Sequence, residues 1–193
     1  MTMGKTSVLA IPGSLRKDSY NRALLHTAER LAPSQIELAV YDHLDAVPVF
    51  NEDFEKPAPE GVAMLREAVA SADGLLIATP EYNQSVPGVV KNMIDWLSRS
   101  EGRGGLAGKP VAVIGASTGP WGTRIAQTHL RQMLLSTQAL VLPHPTLFLG
   151  DAETAFDEKQ EAHGEMCHRL EQILLAFDAW IRTVLAEPVR LGV

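Results

Sequence analysis

GLLIATPEYNQSVPGVVKNMIDWLSR, Gly74 to Arg99, changes character twice along its length. Gly74 to Ala78 is apolar at consecutive positions, the pattern of a strand covered on both faces. Thr79 to Ser85 then turns polar, with Pro80, Glu81, Tyr82, Asn83 and Gln84 in succession. Pro87 and Gly88 start a helical repeat that puts Val89, Val90, Met93, Ile94 and Leu97 on one side and Lys91, Asn92, Asp95 and Ser98 on the other. A buried strand opening into a polar loop before a helix is the βα unit of an open α/β sheet, whose ligands gather at the carboxyl ends of the strands.

The same unit recurs along the chain. Apolar, β-branched runs at Ser7–Ile11, Ile36–Tyr41, Leu75–Thr79, Val111–Gly115 and Ala139–Leu142 read as strands. Helical stripes lie between them: Leu24, Leu25, Ala28 and Leu31; Val62, Leu65 and Val69; Ile125, Leu130, Met133 and Leu134. A longer stripe from Met166 to Val184 closes the chain. Five alternations predict a flavodoxin-like doubly wound α/β fold, a five-stranded parallel sheet of order 2-1-3-4-5 in three layers, α/β/α. The acidic, proline-rich stretch Pro48–Glu60 reads as a long loop.

Composition narrows the function. With 193 residues, 46% hydrophobic and 21% charged, the chain is expected to form one domain over 1–193. Seventeen Lys and Arg against 23 Asp and Glu, net −6, provide no basic field for a phosphate backbone, so no nucleic-acid partner is expected. MTMGKTSVLAIPGS holds only a short apolar run and no later stretch reaches the length of a membrane span, so neither a signal peptide nor a membrane partner is expected. A single cysteine, Cys167, allows no internal disulfide and fits a cytoplasmic location.

The topology rule nominates the loops after the first, third and fourth strands. The first, GSLRKDSYN from Gly13 to Asn21, is neither a dinucleotide fingerprint nor a Walker A loop. It does bring together the hydroxyls of Ser14 and Ser19, the charge of Arg16, the amide of Asn21 and the free N–H groups of a helix start. Such a set suits a phosphate monoester; an ordinary N-cap at Ser19 or Asp18 with Arg16 in water is the plainer alternative. The second loop, Pro80 to Ser85, forms a stiff rim with an amide and an aromatic shelf, suited to the edge of a flat heterocycle such as an isoalloxazine, or else it is only a polar turn. The third, Gly115-Ala116-Ser117-Thr118-Gly119, fits the G-x-S-x-G nucleophile elbow, with Asp151 or Asp157 and His163 or His168 following in triad order. Gly119-Pro120-Trp121-Gly122 nevertheless prolongs the loop where an elbow needs a helix, which disfavours a serine hydrolase acting through Ser117.

GSLRKDSYN, TPEYNQSVPGVVKNMIDWLSR, and LAGKPVAVIGASTG followed by RIAQTHLRQML resemble, in the same order and at similar spacing, segments of the NADPH-dependent FMN reductase family, which includes chromate and quinone reductases. The resemblance covers nearly the whole chain. It implies FMN as cofactor, with Ser14, Arg16, Ser19 and Asn21 on the phosphate, and Pro80, Glu81, Tyr82, Asn83 and Ser85 around the ring. Ser117 would reach the ribityl chain or ring edge, and Thr118 and Gly119 would line the same wall. It also implies NADPH, or NADH, as co-substrate, a small-molecule acceptor (quinone, azo compound, metal oxyanion or free flavin) in a ping-pong cycle, and a homodimer or homotetramer. No residue is expected to act as a dedicated acid or base. A flavodoxin-type electron carrier is the main alternative.

Other features have plainer readings. Trp121 departs from the smaller residues expected in relatives, and is expected to pack on the surface rather than narrow access to the ring. His163, Cys167 and His168 do not form a four-ligand set, so a surface helix with one buried thiol is expected there. Asp42, Asp45, Glu52, Asp53 and Glu55 read as a solvated acidic face, and Asp95, Trp96 and Arg99 as helix packing plus an ion pair.

Overall fold

Consecutive apolar residues make the strands, and helices on both sides keep them dry. A computed structural model describes residues 4–99, 105–157 and 161–186. In it β1 (Thr6–Pro12), β2 (Ile36–Val40), β3 (Gly74–Ala78), β4 (Pro110–Ala116), β5 (Leu140–Val141) and β6 (Leu147–Leu149) form one parallel sheet of order β2-β1-β3-β4-β5, with β6 also on β4. The order is the expected one. The strand count is corrected: β5 pairs with Pro110 and Val111, β6 pairs with Ile114 to Ala116, and Pro143 and Pro145 lie between them. Proline has no N–H to give a ladder, so the fifth position of the sheet is split into two short pieces.

Side chains alternate between the two faces. Val8, Ala10, Leu76, Ala78, Ala112 and Ile114 face α1 (Tyr20–Arg30) and α5 (Glu165–Ala186). Leu9, Ile11, Leu75, Ile77, Val111 and Val113 face α2 (Glu60–Ser71), α3 (Gly88–Ser98) and α4 (Arg124–Ser136). Full burial of each large aliphatic side chain contributes roughly 1.5–3 kcal/mol.

The polar face of α3 anchors the long loop before α2. Asn92 Nδ2 and Trp96 Nε1 both donate to Pro48 O, at 2.9 and 2.8 Å, and Asn92 Oδ1 accepts from Phe50 N at 2.7 Å. Arg99 pairs with Glu52 at 3.1 Å and Glu55 at 2.6 Å, so that part of the expected solvated acidic face is tied to the helix. Trp96 packs and Arg99 pairs as expected. Cys167 is half-buried rather than buried, its Sγ donating to Ala162 O at 3.1 Å. Among the described residues no helix is long and apolar enough to cross a membrane.

Candidate functional site

The carboxyl ends of β1, β3 and β4 are pressed together by close backbone contacts. Gly13 N donates to Ala78 O at 2.7 Å, and a Cβ on Gly13 would sit 2.6 Å from Val90 Cγ2. The first loop therefore lies directly against the start of the second. Ser19 is the N-cap of α1 with φ −84° and ψ 120°, its Oγ accepting from Arg22 N at 3.4 Å, while Ser14 Oγ accepts from Arg16 N at 3.3 Å. Both serines are buried, and each hydroxyl keeps its proton for a further acceptor. Arg16 donates to Asp18 O and holds its guanidinium 5.9 Å from the centroid of the Tyr20 ring, so it is tethered at the loop rather than loose in water.

Asn21 has a structural task. Its Nδ2 donates to Ala116 O at 2.8 Å and its Oδ1 accepts from Ala116 N at 2.9 Å. Oδ1 and one Nδ2 hydrogen are committed to Ala116, so the side chain clips α1 to the end of β4. Its main-chain N–H lies in the first turn of α1 and is not the one taken by the Ser19 cap.

The second loop is a tight hairpin. Tyr82 and Ser85 exchange two main-chain hydrogen bonds of 3.0 Å, and Asn83 and Gln84 between them have φ of 50° and 59°. Successive left-handed residues are those of a type I′ turn. Glu81 Oε2 accepts from both Ile125 N and Ala126 N, at 2.9 and 3.0 Å, and Ser85 Oγ lies 3.1 Å from His129 Nδ1. Glu81 thus caps α4 from another loop.

In the third loop Ser117 N donates to Leu149 O at 2.9 Å, Ser117 O accepts from Ala152 N at 3.1 Å, and Ser117 Oγ accepts from Gly119 N at 3.1 Å. α4 starts only at Arg124, well past the serine. Among the described residues no histidine bonds to Ser117: His163 borders a different cavity and His168 contacts Gln172. The G-x-S-x-G match is therefore not an elbow, and its first glycine has a packing reason. A Cβ on Gly115 would meet Thr123 Oγ1 at 2.2 Å and Thr79 O at 2.3 Å. Gly115→Ala is expected to destabilise the fold by about 1–3 kcal/mol or more through overpacking, read as a lowered midpoint in urea.

Trp121 is also corrected. It is 78% exposed and is not packed within its own chain. The base of its turn is wedged instead: Gly122 has φ 66°, a Cβ there would lie 2.8 Å from Phe148 C, and one on Gly150 would lie 2.4 Å from Pro120 O. With the backbone held that close, the indole is carried outward.

A cavity of about 360 Å³ opens where the three loops meet, within the roughly 300–1,000 Å³ usual for small-ligand pockets. Ser14, Arg16, Ser19 and Asn21 border it from the first loop, Pro80, Glu81 and Tyr82 from the second, and Ser117 and Thr118 from the third. Asn83, Ser85 and Gly119 are not on its lining; Ser85 instead borders a groove with Lys91 and His129. Tyr20 and Ala116 line it and were not anticipated, although Tyr20 directly follows the cap and Ala116 ends the strand. A second cavity of similar volume, bordered by Asp73 and Lys109, sits at the amino ends of β3 and β4, the end of an open sheet that rarely holds ligands.

Residues 6–154 match the profile of the NADPH-dependent FMN reductases. The chain belongs to that family. It is 41% identical to an NAD(P)H-dependent FMN reductase of Pseudomonas aeruginosa over 177 residues, covering 91% of this chain and 95% of that one. It is 37% identical to a quinone reductase of Escherichia coli strain K12, covering 93% and 97%. Among solved structures it is similar to FerB, a flavoenzyme NAD(P)H:(acceptor) oxidoreductase from Paracoccus denitrificans, with TM-score 0.83, 35% identity and coverage of 92% and 98%. The protein is an NAD(P)H-dependent reductase of the FMN or quinone type. For an FMN reductase the donor set fits. Two buried hydroxyls, an arginine and the start of α1 border the cavity from one loop, and such a set suits a phosphate monoester.

Proposed function

We propose that the cavity seats FMN, and that the protein uses it to reduce quinones or similar small acceptors with NAD(P)H. The observation that carries this is the pairing of a phosphate-type donor cluster at α1 with a stiff hairpin rim on one cavity, in a chain of this family. Bound FMN would supply the hydride and electron chemistry that side chains lack.

The residues have separate tasks. Ser14 and Ser19 would donate their hydroxyls to the phosphate, Arg16 would swing from Asp18 O to match its charge, and the N–H groups of Tyr20 and Asn21 would complete the cradle. Pro80, Glu81 and Tyr82 would border the ring, with Asn83 and Ser85 setting the hairpin rather than touching it. Ser117 and Thr118 would close the opposite wall, and Gly119 would shape its turn. No side chain is required to move a proton.

One cavity serving donor and acceptor in turn predicts parallel double-reciprocal lines when NAD(P)H and a quinone are varied together; intersecting lines would reject alternate occupancy. The likeness to named quinone reductases supports an enzyme over an electron carrier. Rapid anaerobic bleaching of the bound flavin by NADPH is the direct check, and slow bleaching would favour the carrier. We further propose a homodimer or homotetramer. Exposed Tyr82 on the cavity and exposed Trp121 and Ile125 after β4 support it, since large apolar side chains left in water favour cover by a neighbour.

A further inference from the structure

We propose that Glu81 is the positioning residue of the cavity rim, holding the hairpin against the ring-binding end by capping α4. This rests on the reading of the cavity as an FMN site. α4 has no cap of its own: Thr123 has φ −116° and ψ 38°, makes no capping bond, and its Oγ1 instead accepts from Gln127 Nε2 at 2.9 Å. No acidic residue lies in the first turn. The N–H groups of Ile125 and Ala126 are answered by one carboxylate oxygen from a loop 44 residues earlier. A negative charge at a helix N-terminus is the favourable arrangement, and here it joins two loops that both border the cavity.

A second tether lies one turn further along α4, where His129 meets Ser85. Glu81 and Ser85 bracket the turn formed by Asn83 and Gln84, both left-handed without being glycine. Such backbone persists only where its surroundings over-determine it, and the two tethers provide that constraint. Since Pro80, Glu81 and Tyr82 all line the cavity, the N-terminus of α4 sets where the rim stands. Glu81 acts through α4.

The test compares FMN titrations of apoprotein, followed by flavin fluorescence, with the visible circular dichroism of the loaded protein. Glu81→Ala is expected to weaken FMN binding about 10-fold and alter the flavin dichroism, as loss of a worthwhile cap would. Glu81→Gln keeps an acceptor oxygen and is expected to stay within about 3-fold of the parent. Ile173→Val, in α5 on the other face of the sheet, serves as a control for general loss of stability and is expected to bind like the parent. If Glu81→Ala does not fold, Glu81→Asp, one methylene short of the two N–H groups, replaces it in the same comparison. Parental affinity and dichroism in the Glu81 variant, or an equal loss in Ile173→Val, would overturn the proposal while leaving the FMN reading intact. A parent protein that ignores FMN would overturn both.

Discussion

Ser14→Ala combined with Arg16→Ala is expected to weaken FMN binding by about 2–4 kcal/mol, roughly 30- to 900-fold in Kd, the loss of two hydrogen bonds to a doubly charged group. The Ser14 hydroxyl is buried at the cavity, where water competes poorly for its proton. Arg16 borders the same cavity, and swinging from Asp18 O to an anion exchanges a neutral acceptor for a charged one. The folded chain itself depends little on either group. Ser14 Oγ makes one long contact, to Arg16 N, and Arg16 is exposed. The melting temperature of the apoprotein should therefore hardly move while the fluorescence titration shifts strongly. A double variant that binds FMN like the parent would place the phosphate elsewhere.

Asn21→Ala should show the opposite pattern. Removing the amide strands the N–H and C=O of Ala116, a residue only 1% exposed at the end of β4. Each buried unsatisfied group costs about 1–3 kcal/mol, so a loss of about 4 kcal/mol and a fall in melting temperature of about 8–16 °C are expected for a chain of this size. The fall should appear in the apoprotein, before any cofactor is added. Were Asn21 a phosphate ligand in the ordinary sense, the apoprotein would melt normally and only the FMN titration would change. Asn21→Asp sharpens the comparison: a carboxylate accepts from Ala116 N but cannot donate to Ala116 O, so it too should melt early.

These two variants separate side chains that look alike in GSLRKDSYN. Ser14, Arg16, Ser19 and Asn21 are all polar, all in one loop or the turn after it, and all border the cavity. Three of them make no side-chain bond to a strand, and the fourth ties both ends of its amide to one. In the second loop the stiffness was legible from Pro80 and Pro87, but the hairpin was not, because left-handed Gln84 is not a residue that announces a type I′ turn. The family resemblance implies Asn83 and Ser85 around the ring. In the structure Asn83 lies at the hairpin tip and Ser85 at the α4 contact.

The strands, the helices and the sheet order could be read from the chain alone, because burial on both faces, helical periodicity and right-handed crossovers are consequences of local pattern and chirality. The position of the candidate site follows from that order, since the loops at the carboxyl ends of β1, β3 and β4 meet around one cavity. What only the tertiary structure decided is which polar atoms are already taken and which large apolar group is left out. Asn21 finds Ala116 across 95 residues and Glu81 finds α4 across 44, while Trp121 is held in water by a turn wedged against Phe148 and Gly150. Hydrogen bonds and close packing are satisfied by partners in space, and a linear pattern carries no record of the partner until the sheet has brought it within reach.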